Sequence, residues 1–128
     1  MDAVCSGGGV MTQARKRRGQ ETQNRLAEYL AAHGWPWAQS AGAGRPGTDV
    51  TGTPGLSWEC KARTDFNPVG WLKQAEKSAG LPVAVYRPNG VGPHPEKFIA
   101  MVRLSDLVPL LLAAGYGGYV NNEGEEKS

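Results

Sequence analysis

TDVTGTPGLSWECKA, residues 48–62, decides how this chain folds. Two short runs with strand character, 48–51 and 56–62, flank Gly52-Thr53-Pro54-Gly55, a turn signal that predicts adjacent strands. Side chains alternate across a strand, so Trp58 and Cys60 point to one face and Glu59 and Lys61 to the other. Charges inside so core-like a segment are costly unless they pair, stay hydrated or bind a ligand. The turn brings Asp49 alongside, and two carboxylates and one ammonium then converge at a sheet edge. Asp49 and Glu59, with the backbone carbonyl of Cys60, form an oxygen set suited to a hard divalent cation. Such a cation activates water and neutralises a phosphorane-like transition state, while Lys61 offers a compact point charge to hydroxide or phosphate. The competing reading is a solvated Glu/Lys face without a ligand. The order of the surrounding elements weighs against it.

Upstream, Leu26, Ala27, Leu30 and Ala31 share one helical face, and His33-Gly34 stops a helix that begins near Gly19. Residues 35–40 read as a first strand and 41–48 as a glycine-rich loop. Downstream, Asn67 and Pro68 are N-cap and N1 of a helix over 68–79 that Gly80 ends. Strands over 81–87 and 96–103 form a hairpin, and Ser105 N-caps a last helix to about Ala114. The predicted fold class is α/β, a mixed sheet flanked by helices in the order α-β-β-β-α-β-β-α.

With 128 residues, 40% hydrophobic and 20% charged, one soluble domain is expected, spanning 15–120. Residues 1–14 lack periodicity and read as a disordered arm, and 121–128 as a disordered acidic tail. No apolar run reaches the ~18 residues of a membrane span, and no secretory h-region follows the start. Two cysteines are too few for a disulfide framework, which predicts a reducing, cytoplasmic setting. The net charge is only +2, but Arg15, Lys16, Arg17 and Arg18 form a basic run of the kind that meets phosphates; a solvated run is its plain alternative. Gly42-Ala43-Gly44-Arg45-Pro46-Gly47 matches G-x-G-x-x-G, yet strand and not helix follows it, so a dinucleotide site is rejected. Neither His33 nor His94 has a partner at metal-ligand spacing.

Arg18-Gly19, Gly34-Trp35, Gly47-Thr48-Asp49, Glu59-Cys60-Lys61-Ala62-Arg63 and Gln74-Ala75-Glu76, taken with that element order, resemble the PD-(D/E)xK nuclease superfamily. Within it the likeness is to the archaeal-type Holliday junction resolvases, over about Arg17 to Arg103. The resemblance implies a restriction-endonuclease-like αβββαβ core. It makes Asp49 and Glu59 metal ligands for Mg²⁺ or Mn²⁺ and Lys61 the catalytic lysine, with Gln74 as an auxiliary site residue and Ser40 a further contact on the loop. It departs from the pattern twice. Pro46 lies three residues before Asp49. On the first helix, where such resolvases carry a glutamate, this chain has Gln23; Glu21 lies about 200° round the helix. Either Gln23 serves through its amide oxygen or Glu21 reaches in as a ligand.

The expected activity is therefore metal-dependent hydrolysis of DNA, with four-way junctions as substrate and a homodimer matching their two-fold symmetry. Arg15, Lys16, Arg17, Arg18, Ser40, Arg45, Arg63, Lys73 and Lys77 are candidate DNA contacts. Trp71, Phe66 and residues 107–112 are candidates for the dimer interface. A same-fold nuclease acting on linear or flapped DNA is the alternative within enzymes. A non-catalytic DNA-binding domain is the alternative outside them.

Overall fold

A computed structural model describes residues 3–42, 47–62 and 65–117, the first eleven of these (3–13) by their backbone alone. In chain order the elements are α1 (Ala3–Ala32), β1 (Gln39–Ser40), β2 (Val50–Thr51), β3 (Leu56–Lys61), α2 (Pro68–Ala75), β4 (Leu81–Tyr86), a 3₁₀ turn (Pro95–Lys97), β5 (Ile99–Met101) and α3 (Leu104–Ala113). The predicted α/β class holds, with helices around a three-stranded mixed sheet. β3 and β4 run parallel, Leu56 opposite Leu81 through Lys61 opposite Tyr86, and β5 returns antiparallel to β4. β1 and β2 form a separate antiparallel pair.

Alternation along β3 and β4 sorts the core into two layers. On one face Trp58, Val83 and Val85 pack with Leu26, Ala27 and Leu30 of α1. On the other, Ala84 packs with Trp71 and Leu72 of α2, and Tyr86 and Met101 lie against them. Burying each large aliphatic side chain contributes about 2 kcal/mol, so these stripes fix the helices on the sheet. The crossover through α2 is set at both ends. Asn67 Oδ1 accepts from Gly70 N at 3.1 Å, with Pro68 in the first turn. Gly80, at φ +113°, comes so near Gly55 that an added Cβ would lie 2.7 Å from its carbonyl carbon. Leu81 N donates to Gly55 O at 2.8 Å there, which starts the parallel register.

Several element bounds differ from those the sequence predicts. α1 begins at Ala3 rather than near Gly19, so helical backbone occupies most of the expected N-terminal arm. Its apolar stripe starts only at Leu26, and the earlier turns carry no periodicity to detect. The first strand shrinks to Gln39–Ser40 because Trp35 to Trp37 form a turn in which Ala38 N donates to Trp35 O. β5 keeps three residues, since the proline-flanked 3₁₀ turn takes the start of the predicted strand. Arg103, not Ser105, caps α3, with no side-chain cap bond. The acidic tail at 121–128 lies outside the described residues.

Candidate active site

Asp49 reaches β3 through a short stretch in which side chains stand in for a neighbouring strand. Asp49 N donates to Trp58 O at 2.8 Å. Trp58 N donates to Thr48 Oγ1 at 2.8 Å, and that hydroxyl donates to Val50 O at 2.9 Å. Cys60 N donates to Asp49 Oδ2 at 2.7 Å. The Asp49 carboxylate is thereby fixed to the edge of β3, two residues along from Trp58.

Strand geometry then orients the Cys60 carbonyl. Lys61 O accepts from Arg87 N at 2.8 Å, so the peptide groups of residue 61 face β4. The groups of residue 60 face the opposite way, the side on which Cys60 N meets Asp49. The Cys60 carbonyl and the Asp49 carboxylate therefore share one edge. Glu59 is only 8% exposed, and its Oε2 lies 3.0 Å from Lys61 Nζ, an ion pair along one face of β3. Trp58 and Cys60 turn to the α1 face as predicted.

Electrostatics couple the cluster. Burial pushes the Asp49 carboxyl up to about 6, and the Glu59 charge adds to this; the Cys60 hydrogen bond and Lys61 oppose it. Burial, with the Asp49 and Glu59 charges, also raises the Cys60 thiol well above its usual range, so it stays protonated and unreactive. Two partly or wholly buried carboxylates sharing one ammonium favour a further positive charge. Their free oxygens and the Cys60 carbonyl are hard donors, which fits Mg²⁺ or Mn²⁺. Among the described residues no group of three or more His, Cys, Asp and Glu side chains gathers as a metal cluster. The expected donor set, two carboxylates and a backbone carbonyl, is smaller than such a group.

A cleft of about 530 Å³ opens beside Lys61 between the end of β3 and α1, lined among others by Arg15, Lys16, Arg18, Cys60, Lys61 and Asp65. Arg18 is held there, its Nε donating to Ala62 O at 3.0 Å and its Nη2 to Asn89 Oδ1 at 3.2 Å. Arg17 lines a second hollow of about 710 Å³ on another side of α1, with Arg25 and Arg87.

The remaining expected residues divide. Gln23 Oε1 accepts from Ser40 Oγ at 3.2 Å, and Gln20 Nε2 donates to the same hydroxyl at 2.8 Å. One residue on, Ala41 N donates to Asp49 O at 2.9 Å, so Gln23 and Ser40 support the segment that carries Asp49. Glu21 does not join the carboxylates. It pairs with Arg87 Nη1 at 2.8 Å, and this bond holds its carboxyl below the ordinary range. Its expected alternative role as a ligand is therefore replaced by a structural tie between α1 and the end of β4. Gln74, Lys73 and Lys77 are exposed on or just beyond α2. Arg45 and Arg63 lie outside the described residues.

Sequence reasoning missed Thr48 as the residue docking Asp49, and Arg87 as the partner of Glu21. A β-branched hydroxyl residue beside the acid was a usable signal for the first. Nothing local marks the second, because 66 residues separate the pair. Compared with protein-family models, curated proteins and solved structures, the chain matches none.

Proposed function

We propose that this chain is a metal-dependent endodeoxyribonuclease with a restriction-endonuclease-like core, acting as a homodimer on branched DNA such as four-way junctions. One observation carries the reading. The Asp49 carboxylate is locked to the edge of β3 beside the Glu59–Lys61 pair, and a basic cleft opens next to it. The run α1, β1, β2, β3, α2, β4 has the αβββαβ order of that core.

In this reading Asp49, Glu59 and the Cys60 carbonyl hold Mg²⁺ or Mn²⁺. When bound, the ion supplies an acidified water and a positive charge against the phosphate. Lys61 contributes a fixed point charge, kept in place by Glu59, to the attacking oxygen or the phosphate it approaches. Arg15, Lys16 and Arg18 neutralise backbone phosphates and draw the strand along the cleft towards Lys61. Gln23, through Ser40, holds the segment bearing Asp49.

A non-catalytic DNA-binding domain is the second reading. It draws on Glu21 being committed to Arg87, which leaves α1 an amide where these resolvases have a carboxylate. Alanine variants separate the two. Asp49→Ala and Glu59→Ala are expected to lose metal-dependent cleavage by about 100-fold or more while keeping most DNA affinity. Normal cutting by both would refute the site.

A further inference from the structure

Phe66 lies just past the end of β3 and is 59% exposed. It is not a loose side chain. Its centroid lies 5.4 Å from that of Trp71, at 86°, and 5.2 Å from that of Tyr86, at 70°. Beneath it Trp71 and Tyr86 stack at 5.6 Å and 24°, and Trp71 is 4% exposed. The ring is therefore braced edge-on by an ordered aromatic pair, which removes much of the entropy a flexible ring would lose on binding.

Its position matters as much. Tyr86 is the register partner of Lys61, so both side chains leave the sheet on the same face. Asp65, the residue before Phe66, lines the basic cleft with Lys61, Arg15 and Lys16. An open aromatic surface thus adjoins a groove suited to phosphates. That pairing of ring and cationic groove is how unpaired nucleotides are held, backbone in the groove and base on the ring. Bases in a duplex are already stacked and do not offer their faces.

We propose that Phe66 is a stacking platform for an unpaired nucleobase next to the Lys61 cleft, giving the protein a preference for DNA with unstacked nucleotides. The proposal rests on the nuclease reading and adds a specificity residue to it. The second candidate role for an exposed Phe66, an interface between two copies, is tested by the same experiment.

The full chain is titrated, in metal-free buffer so that no strand is cut, into a single-stranded oligonucleotide containing 2-aminopurine and into the matching duplex. Wild type is expected to bind the single strand more tightly and to change its fluorescence by stacking. Phe66→Leu keeps an apolar cover on Trp71 but lacks a ring face. It is expected to weaken single-strand binding about tenfold, abolish the stacking signal and leave duplex binding unchanged. Phe66→Trp restores both. Equal weakening on both DNAs, or a change of oligomeric state with Phe66→Leu, would overturn the platform in favour of a structural or interface role. Unchanged single-strand binding would overturn it while leaving the nuclease reading intact. Wild type that binds neither DNA would remove both.

Discussion

Asp49 is the residue on which the site turns, and its ionisation has a thermodynamic consequence. Its carboxyl rises from an ordinary 3.8 to about 6 because burial disfavours the charge and Glu59 adds repulsion. Between those values the folded chain holds a proton that the unfolded chain releases, so stability falls as pH rises through that window. Asp49→Asn keeps an oxygen for Cys60 N but cannot ionise. Without metal it is expected to melt higher than wild type above about pH 6 and to lose that advantage near pH 4. Adding Mg²⁺ is expected to raise the melting temperature of wild type and not of the variant. Thermal melts across pH, with and without Mg²⁺, check this; parallel curves for the two proteins would count against a buried, cation-seeking carboxylate. The shared face of Glu59 and Lys61 was legible because a charged alternation inside an apolar strand is a local pattern, and the approach of Asp49 because a turn signal separates it from that strand. The Glu21–Arg87 pair was not, since only the folded sheet brings the end of β4 under α1.

At the scale of elements, the segment before β2 holds the site together without a continuous ladder. The Thr48 hydroxyl accepts from Trp58 N and donates to Val50 O, which lets Asp49 face Cys60. Thr48→Val is nearly isosteric and removes the acceptor. Leaving the Trp58 amide unpaired costs about 1–3 kcal/mol, and Asp49 loses its anchor. A lower melting temperature together with weaker cleavage is the expected result; a variant matching wild type in both would show that Asp49 is held some other way. Strand alternation and turn residues made β3, β4 and the start of α2 readable; α2 stops at Ala75 rather than 79, and β2 keeps Val50–Thr51 and pairs with β1 rather than β3. The ends of β1, β5 and α1 were not, because proline-containing turns shorten the two strands and the early turns of α1 have no apolar stripe.

Across the whole molecule, two helices cover the sheet and the third does not. α3 has no buried residue, and Leu104, Val108, Leu110, Leu111 and Leu112 are all exposed, Leu104 at 72%. Its ten residues carry a single charge, Asp106. It follows β5, the strand at the far edge from β3, so an association on that side leaves Asp49 and Glu59 open. The proposed homodimer would place a second copy of the chain on this face, which is apolar but for Asp106. Trp71, an expected interface residue, is instead buried in the core. Leu112→Glu is expected to convert a dimer to a monomer in light scattering, and a monomeric wild type would contradict the assignment. No helix among the described residues is long and apolar enough to cross a membrane. The most direct test of the nuclease reading is one gel on which a labelled four-way junction, linear duplex, flap and single strand meet the protein with Mg²⁺, Mn²⁺ or neither, beside Glu59→Ala. Symmetric, metal-dependent nicks in the junction, absent with Glu59→Ala, are the predicted result; no metal-dependent cutting of any substrate would contradict it.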